Sequence, residues 1–421
     1  MLIEFEFENF KSFKNRTYFS MESTNIDDLE HHLIDNKYLK TSAIFGANGS
    51  GKSNLIRAFL KFSLIVKNSI DIEKQKRYPH EPFKLDIKTK DEPTFFRILF
   101  LKENTFFEYL FEIDKNGNIL REELYQKEIN KNKKYLFKRE RQTITYNKRS
   151  FKEAKGLEEK TRENALFLSV VNQFNGKIAK KIYDFITQEF IIIKDIDCNE
   201  KLEIIAKSLL KNKEIRDNTV EILSKLDFSI KDIEIKKETL PANVLEQIKN
   251  DEDIPKKIKD KILTDGIEII KTKHYLFENN KIKGFIDFNL KEESEGTKKL
   301  IYLLPILIDT IKHNRILIVD ELDNSLHTIL IKNIINWFTK KSKKAQFIFT
   351  THDINILDNQ ESYQTKTFRR DEIWFVSKHP KYEYSELYSL AEFKIRKDKN
   401  ILKGLLKGEF GAIPIIDNLG N

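Results

Sequence analysis

A mixed α/β fold is predicted by three observations. Gly46-Ala-Asn-Gly-Ser-Gly-Lys-Ser53 fits the pattern G-x-x-x-x-G-K-[ST]. It lies between a short apolar run, Ala43-Ile44-Phe45, and a segment in which Ile56, Phe59, Leu60 and Leu64 share a helical face. Arg315-Ile-Leu-Ile-Val-Asp-Glu321 is an unbroken apolar run ended by two acids, as in a buried parallel strand that carries carboxylates to one sheet edge. Gln346-Phe-Ile-Phe-Thr-Thr-His352 repeats the pattern and ends in an imidazole.

The glycine-rich segment is the most specific of the three. The chain has 13 glycines, and Gly46, Gly49 and Gly51 all fall within eight residues of one another, so the spacing is not a by-product of glycine abundance. Glycines let successive backbone N–H groups converge on phosphate oxygens, and the helix that follows adds the positive end of its dipole. The loop Gly46, Ala47, Asn48, Gly49, Ser50, Gly51 would cradle a nucleotide's phosphates, continued by Lys52, Ser53 and Asn54. Lys52 would reach the β- and γ-phosphates, and the Ser53 hydroxyl would hold Mg²⁺.

The acids complete that chemistry. Asp320 would join the Mg²⁺ shell and Glu321 would polarise the attacking water, because phosphoryl transfer needs a cation clamp and a positioned nucleophile at one point. An apolar run ending in Asp-Glu is common by itself, and its weight comes from being paired with the loop. His352, at the end of the next strand, reaches the same edge and would contact the γ-phosphate or the water.

These residues carry a resemblance. Ser294-Glu-Gly-Thr-Lys-Lys-Leu300 looks like the signature motif of ABC-type ATPases, in the variant used by the AbiL/RloA-type AAA family of abortive infection, kin to the OLD, RecF and SMC heads. The resemblance extends over Asn9-Phe-Lys-Ser-Phe13, Pro82-Phe-Lys-Leu-Asp86, Asp323-Asn-Ser-Leu-His327, Asp371-Glu-Ile-Trp-Phe-Val376 and Gly408-Glu-Phe-Gly-Ala-Ile-Pro414. It implies an ABC-type P-loop ATPase head with an antiparallel β subregion and a compact helical insertion. In such heads the signature of one subunit, here Ser294, Glu295, Gly296 and Thr297, presses on the γ-phosphate held by the other subunit's P-loop. Asn324, Ser325, Leu326 and His327 stand where a D-loop belongs, with His327 in place of the Asp of transporter ATPases. No glutamine marks a Q-loop, and the resemblance puts Pro82–Asp86 there.

Organisation follows from where the motifs fall. Residues 1–150 read as an N-terminal lobe holding the P-loop and antiparallel strands, such as Thr94-Phe-Phe-Arg-Ile-Leu-Phe-Leu101 and Phe106-Phe-Glu-Tyr-Leu-Phe-Glu-Ile113, the latter followed by a turn at Asp114–Asn118. Residues 151–270 read as a mainly helical insertion or lid, with Leu202, Ile205, Leu209 and Leu210 at helical spacing. Residues 271–421 read as the C-terminal lobe. The insertion is too short and irregular for the long heptad arm of SMC relatives.

Composition narrows the classes. No run of about 18 apolar residues is present to span a membrane, and the first residues lack the pattern of a signal peptide, so a cytoplasmic protein is expected. Cys198 is the only cysteine, which excludes a disulfide framework and a thiolate metal cluster. The balance of 75 Lys+Arg against 66 Asp+Glu permits nucleic-acid contact, but lysines spread over surface helices explain it as well. The densest basic stretch, Asn130–Arg141, mixes aromatics with charge, as a nucleic-acid surface would, and also looks like a hairpin's solvated turn. Five aromatics between Trp374 and Tyr388 suit either the core of the last strands or a docking surface.

The segment after His352 has no D-x-D acid pair of the kind a Toprim nuclease needs to hold metal. The resulting expectation is an ATPase with ATP and Mg²⁺ as cofactors, working as a homodimer or larger assembly. The resemblance adds antiphage defence, a separately encoded effector of Toprim-nuclease type, and a nucleic acid or phage protein as trigger. A RecF-like DNA-repair clamp is the alternative from another class. A transporter's detached ATPase would need a membrane partner, for which the sequence offers no coupling element.

Overall fold

The computed structural model describes residues 1–26, 28–71, 79–194, 200–250, 259, 262–264, 266–358, 366–396 and 399–411. Cys198 and the Ala412–Pro414 end of the last resemblance segment lie outside the described residues. The chain divides into two compact units, Met1–Asp195 with His313–Asn421, and Ile196–Lys312. The signature segment, Ser294 to Thr297, falls in the second of these units.

The first unit contains two large sheets. One is antiparallel and seven-stranded, in the order β10-β9-β8-β7-β6-β1-β2, built from β1 (Leu2–Glu8), β2 (Thr17–Ser20), β6 (Thr94–Lys102), β7 (Thr105–Ile113), β8 (Ile119–Glu128), β9 (Lys134–Glu140) and β10 (Thr143–Tyr146). Its strands alternate apolar and polar residues because one face is packed and the other solvated. The turn expected at Asp114–Asn118 joins β7 to β8, with Gly117 at φ 86° and Asp114 Oδ1 accepting from the N–H groups of Asn116 and Asn118 at 2.8 Å each.

The other sheet has six strands in the order β11-β15-β16-β5-β17-β18: β5 (Thr41–Phe45), β11 (Phe190–Ile193), β15 (Ile316–Val319), β16 (Gln346–Thr351), β17 (Ile373–Lys378) and β18 (Ser385–Ser389). All its neighbouring pairs are parallel except β17–β18. Every residue of β5, β15 and β16 is buried, which is why Ala43–Phe45, Ile316–Val319 and Phe347–Phe349 read as continuous apolar stretches and not as alternation. β3 (Leu33–Ile34) and β4 (Tyr38–Leu39) form a small separate hairpin.

Helix α1 (Lys52–Asn68) ties the two large sheets together. Phe59 stacks on Phe5 of β1 at 4.0 Å and also meets Phe190 of β11 at 6.4 Å, while Phe62 stacks on Phe111 of β7 at 5.5 Å. Gln346 adds a polar link, accepting from Leu2 N at 2.7 Å and donating to Leu2 O and Leu39 O. The helices α2 (Phe167–Gln173) and α3 (Lys177–Gln188) extend the same core, with Phe185 stacked on Phe100 at 3.9 Å.

The basic stretch around residues 130–141 is the β8–β9 hairpin with exposed lysines, as read from the sequence, with one exception. Arg139 points inward and is 1% exposed, donating to the carbonyls of Ala165, Arg162, Glu163 and Arg141 with Glu122 at 3.5 Å. Burial raises the pKa of Glu122, whose carboxyl accepts from Tyr109 and from the N–H groups of Phe167 and Leu168 at the start of α2.

The second unit holds α4 (Glu200–Leu210), α5 (Lys213–Lys225), α6 (Ala242–Asn250), and most of α7 (Glu295–His313), with a three-stranded antiparallel sheet of β12 (Asp232–Glu238), β13 (Ile267–Glu278) and β14 (Lys281–Asn289). The strand β12 falls in the stretch read as helical. Its alternation Asp-Ile-Glu-Ile-Lys-Lys-Glu is a strand period whose charged residues pair with β13 and β14, as Lys273 does with Glu234 at 2.7 Å. Among the described residues, the first unit also holds the α-helices α8 (Thr328–Lys341) and α9 (Ile401–Leu406).

Candidate functional site

The loop between β5 and α1 is fixed by close approaches that only glycine permits. A Cβ on Gly46 would strike the Val376 carbonyl of β17, and one on Gly51 would strike the Ser385 hydroxyl. Gly51 also has φ 116° and Gly49 φ 73°, both in the left-handed region. The loop thereby enters α1 with the first N–H groups of the helix unpaired within the helix and turned toward its N-terminal end.

Lys52 opens α1 and folds back over the loop. Its Nζ donates to Gly46 O at 2.6 Å and Ala47 O at 3.1 Å, and lies 3.1 Å from His352 Nδ1. Burial brings its pKa down to about 8 against the opposing pull of Asp320, Asp323 and Glu321. The residue is only 4% exposed, so desolvation outweighs three nearby carboxylates.

Asp320 and Glu321 follow β15 directly. Thr350, one strand over in β16, donates to Asp320 Oδ1 at 2.5 Å and accepts from Glu321 N at 2.8 Å. One hydroxyl thus holds both the Asp320 carboxylate and the backbone at Glu321, a function not legible in the sequence because a threonine in a buried strand looks like β-propensity alone. Asp320 is also hydrogen-bonded by Ser53, and burial pushes its pKa up from the usual carboxylate value. Glu321 has φ 52°, an uncommon backbone state for a residue with a side chain, which turns the chain sharply off the strand.

His352 directly follows β16 on the same edge. Its backbone N–H donates to the Asp323 carboxylate at 3.1 and 3.2 Å, and its Nε2 stands 3.7 Å from Glu321 Oε1. With the Lys52 ammonium donating to Nδ1, the ring proton sits on Nε2 and faces Glu321. Lys52, Ser53, Asp320, Glu321 and His352 therefore share one sheet edge, brought there by the parallel register of β15, β16 and β5.

The oxygen donors fit a magnesium ion. Ser53 and Asp320 already lie within hydrogen-bonding reach of each other, and a hydroxyl with a carboxylate is the hard, sparse protein donor set that Mg²⁺ takes when phosphates and waters supply the rest. No group of three or more His, Cys, Asp or Glu suited to a metal occurs among the described residues.

The remaining predicted residues sort by unit. Asn324 to His327 continue from the two acids in the first unit: Ser325 has φ 59°, Leu326 is buried, and His327 caps α8 with Nδ1 accepting from Ile329 N at 3.3 Å. Asn54 donates to Ser12 Oγ at 2.8 Å. Ser294 to Thr297 belong to the second unit, where Ser294 caps α7: its Oγ accepts from Thr297 N at 3.2 Å and pairs with Thr297 Oγ1 at 2.7 Å. Ser294 and Glu295 are exposed.

Pro82–Asp86 is held by Asn9, whose Oδ1 accepts from Phe83 N at 2.9 Å and whose Nδ2 donates to Thr89 O and Glu92 O. On the outer side of the sheet Asp320 is flanked by the end of β11, where Ile193 O accepts from Asp320 N at 2.8 Å and Lys194 follows. Of the late aromatics, Trp374 and Phe375 are core, while Tyr382 is exposed on the β17–β18 turn beside His379 and Tyr384.

Residues 42–358 match the family described as "AAA domain, putative AbiEii toxin, Type IV TA system". No curated protein matches the chain. Among solved structures, an Smc head bound to the C-winged helix domain of ScpA is similar at 16% identity and a TM-score of 0.46, covering 92% of this chain and 97% of that one. An SMC head domain from Thermotoga maritima gives 15% and 0.44, covering 92% and 98%. An Smc head domain with an extended coiled coil, bound to the C-terminal domain of ScpA derived from Pyrococcus furiosus, gives 14% and 0.40, covering 97% and 98%.

Proposed function

The chain belongs to this AAA-domain, AbiEii-toxin family, and from that premise we propose that it is an ATPase that hydrolyses ATP at composite sites between two copies and thereby controls a separately encoded effector in antiphage defence. The observation that carries the chemistry is the convergence of Lys52, Ser53, Asp320, Glu321 and His352 on one edge of the parallel sheet. The defence role and the nuclease-type effector rest on the family and on the resemblance of the motifs.

In this reading the loop N–H groups and the α1 N-terminus bind the phosphates, and Lys52 moves its ammonium from the Gly46 and Ala47 carbonyls to the β/γ-phosphate oxygens. Ser53 and Asp320 would hold Mg²⁺, which when bound neutralises charge on the β- and γ-phosphate oxygens. Glu321 orients and polarises the attacking water, and its φ of 52° sets the carboxylate off the strand axis. His352, whose Nε2 lies 3.7 Å from Glu321 Oε1, would turn its one Nε2 proton toward the developing charge on the phosphate. The exposed Ser294 and Glu295 at the start of α7 complete the site of a second copy.

No helix among the described residues is long and apolar enough to cross a membrane. Glu321→Gln tests the hydrolytic assignment. The variant should bind ATP as the parent does and lose Mg²⁺-dependent hydrolysis by on the order of a hundredfold or more. Turnover at the parental rate would show that some other group positions the water.

A further inference from the structure

The phosphate loop is braced from behind by residues far away in the sequence. Ser385, the first residue of β18, is 3% exposed; its Oγ lies 2.5 Å from Ser50 O in the loop and 2.8 Å from Ser12 Oγ, and its N–H donates to Ser12 O at 2.7 Å. Asn54 of α1 donates its Nδ2 to Ser12 Oγ at 2.8 Å. The proton directions follow from valence. The Ser50 carbonyl can only accept, so the single Ser385 hydroxyl proton goes there, and Ser12 must donate to Ser385.

The result is a one-way chain, Asn54 N–H to Ser12 O–H to Ser385 O–H to Ser50 C=O, that begins on α1 and ends in the loop preceding the same helix. Each hydroxyl accepts one bond and donates one, the arrangement in which neighbouring bonds polarise and strengthen one another. The contact is close enough to exclude a side chain at Gly51, since a Cβ there would meet Ser385 Oγ and come within 2.8 Å of Ser12 Oγ.

We propose that Ser12 and Ser385 are positioning residues that hold the phosphate loop in its binding shape before nucleotide arrives. The inference rests on the ATPase reading of the site and goes beyond it by assigning two hydroxyls outside the loop. A braced loop needs less ordering on binding, so the brace contributes to affinity. It is the same in ground and transition states, so it should enter KM and leave kcat alone.

The experiment measures ATP affinity and steady-state hydrolysis for the parent and for Ser385→Ala, Ser12→Ala, the double variant and Ser389→Ala. Ser389, also on β18, caps a short turn through Ala391 N and does not touch the loop, which makes it the control for damage to the strand. Ser385→Ala should raise Kd and KM for ATP about three- to tenfold, since one net hydrogen bond is at stake, with kcat within about twofold of the parent. Ser12→Ala should do the same, the double variant should cost less than the product of the two, and Ser389→Ala should leave affinity unchanged. Unchanged KM in Ser385→Ala, a loss confined to kcat, strictly multiplicative single effects, or an equal loss in Ser389→Ala would each overturn the proposal. Absence of saturable ATP binding by the parent would instead refute the site reading itself, and the brace with it.

Discussion

Lys52 and His352, 300 residues apart in the chain, meet with Nζ 3.1 Å from Nδ1. The contact decides the tautomer, because an ammonium can only donate and so obliges Nδ1 to accept. The remaining proton on Nε2 faces Glu321 at 3.7 Å, so one imidazole joins the proposed phosphate-binding cation to the proposed water-orienting acid. Removing the ring should then affect chemistry more than binding. His352→Ala is expected to lower single-turnover hydrolysis by roughly ten- to a hundredfold, the scale of one positioned polar group, while ATP affinity moves by less than about threefold. A collapse of affinity with normal turnover of the ATP that does bind would contradict this division.

The pKa of Lys52 carries a pH signature. Burial holds it at about 8, below the ordinary 10.5, although Asp320, Asp323 and Glu321 pull the other way. A bound polyphosphate favours the ammonium and raises that pKa, so binding takes up a proton once the free lysine has begun to lose its own. ATP affinity should be flat below about pH 7.5 and fall by up to about tenfold per pH unit above 8. The sign for the free chain is opposite. Between about 8 and 10.5 the unfolded chain holds the proton that the folded chain has released, so this residue makes stability rise with pH there. Calorimetric titration at pH 9 in two buffers of different ionisation enthalpy checks the proton uptake, and equal heats in both would remove Lys52 from the account.

Thr350 offers a test that spares every acid and base. Its hydroxyl donates to Asp320 and accepts from Glu321 N, and it is fully buried. Thr350→Val keeps the shape and deletes both bonds, leaving the half-buried Glu321 N–H and a buried Asp320 carboxylate oxygen without this partner. The expected cost is about 1–3 kcal/mol of stability, seen as a lower denaturant midpoint. Hydrolysis should fall more steeply than binding, since the strained turn at Glu321 is released. A variant that melts early yet hydrolyses at the parental rate would mean that the hydroxyl serves the fold alone.

How far the sequence could be read follows from the range of the forces involved. The strand, loop and helix around Gly46–Ser53 and the two acid- and imidazole-ended strands were legible because each is a local pattern, and parallel pairing then gathers Lys52, Asp320, Glu321 and His352 without further instruction. Ser12 and Ser385 were not, since their bond spans 373 positions and serine carries no periodic signal. The strand Phe190–Ile193 was missed because four apolar residues are too few to distinguish a buried strand from a turn of helix. Arg139 was read as part of a solvated basic run, and only the carbonyls of residues 162–165 folding over it explain why it turns inward.

The composite site is testable by subunit mixing. Ser294 is exposed at the N-terminus of α7, where its Oγ caps Thr297 N, so a replacement must keep the cap if the result is to be interpretable. Ser294→Asp does so, because Asp caps as well as Ser, and it sets a carboxylate where a second copy's γ-phosphate is proposed to lie. The variant should bind ATP with near-parental affinity through its own Lys52 and fail to hydrolyse it. Lys52→Ala should fail for the converse reason, lacking the cation while retaining an intact Ser294 segment. Mixed, the two give dimers with one site lacking both halves and one site with both intact, so activity should return at about one working site per mixed dimer. Formation of mixed dimers, shown by co-elution of differently tagged chains, without any recovered hydrolysis would place the whole site within a single copy.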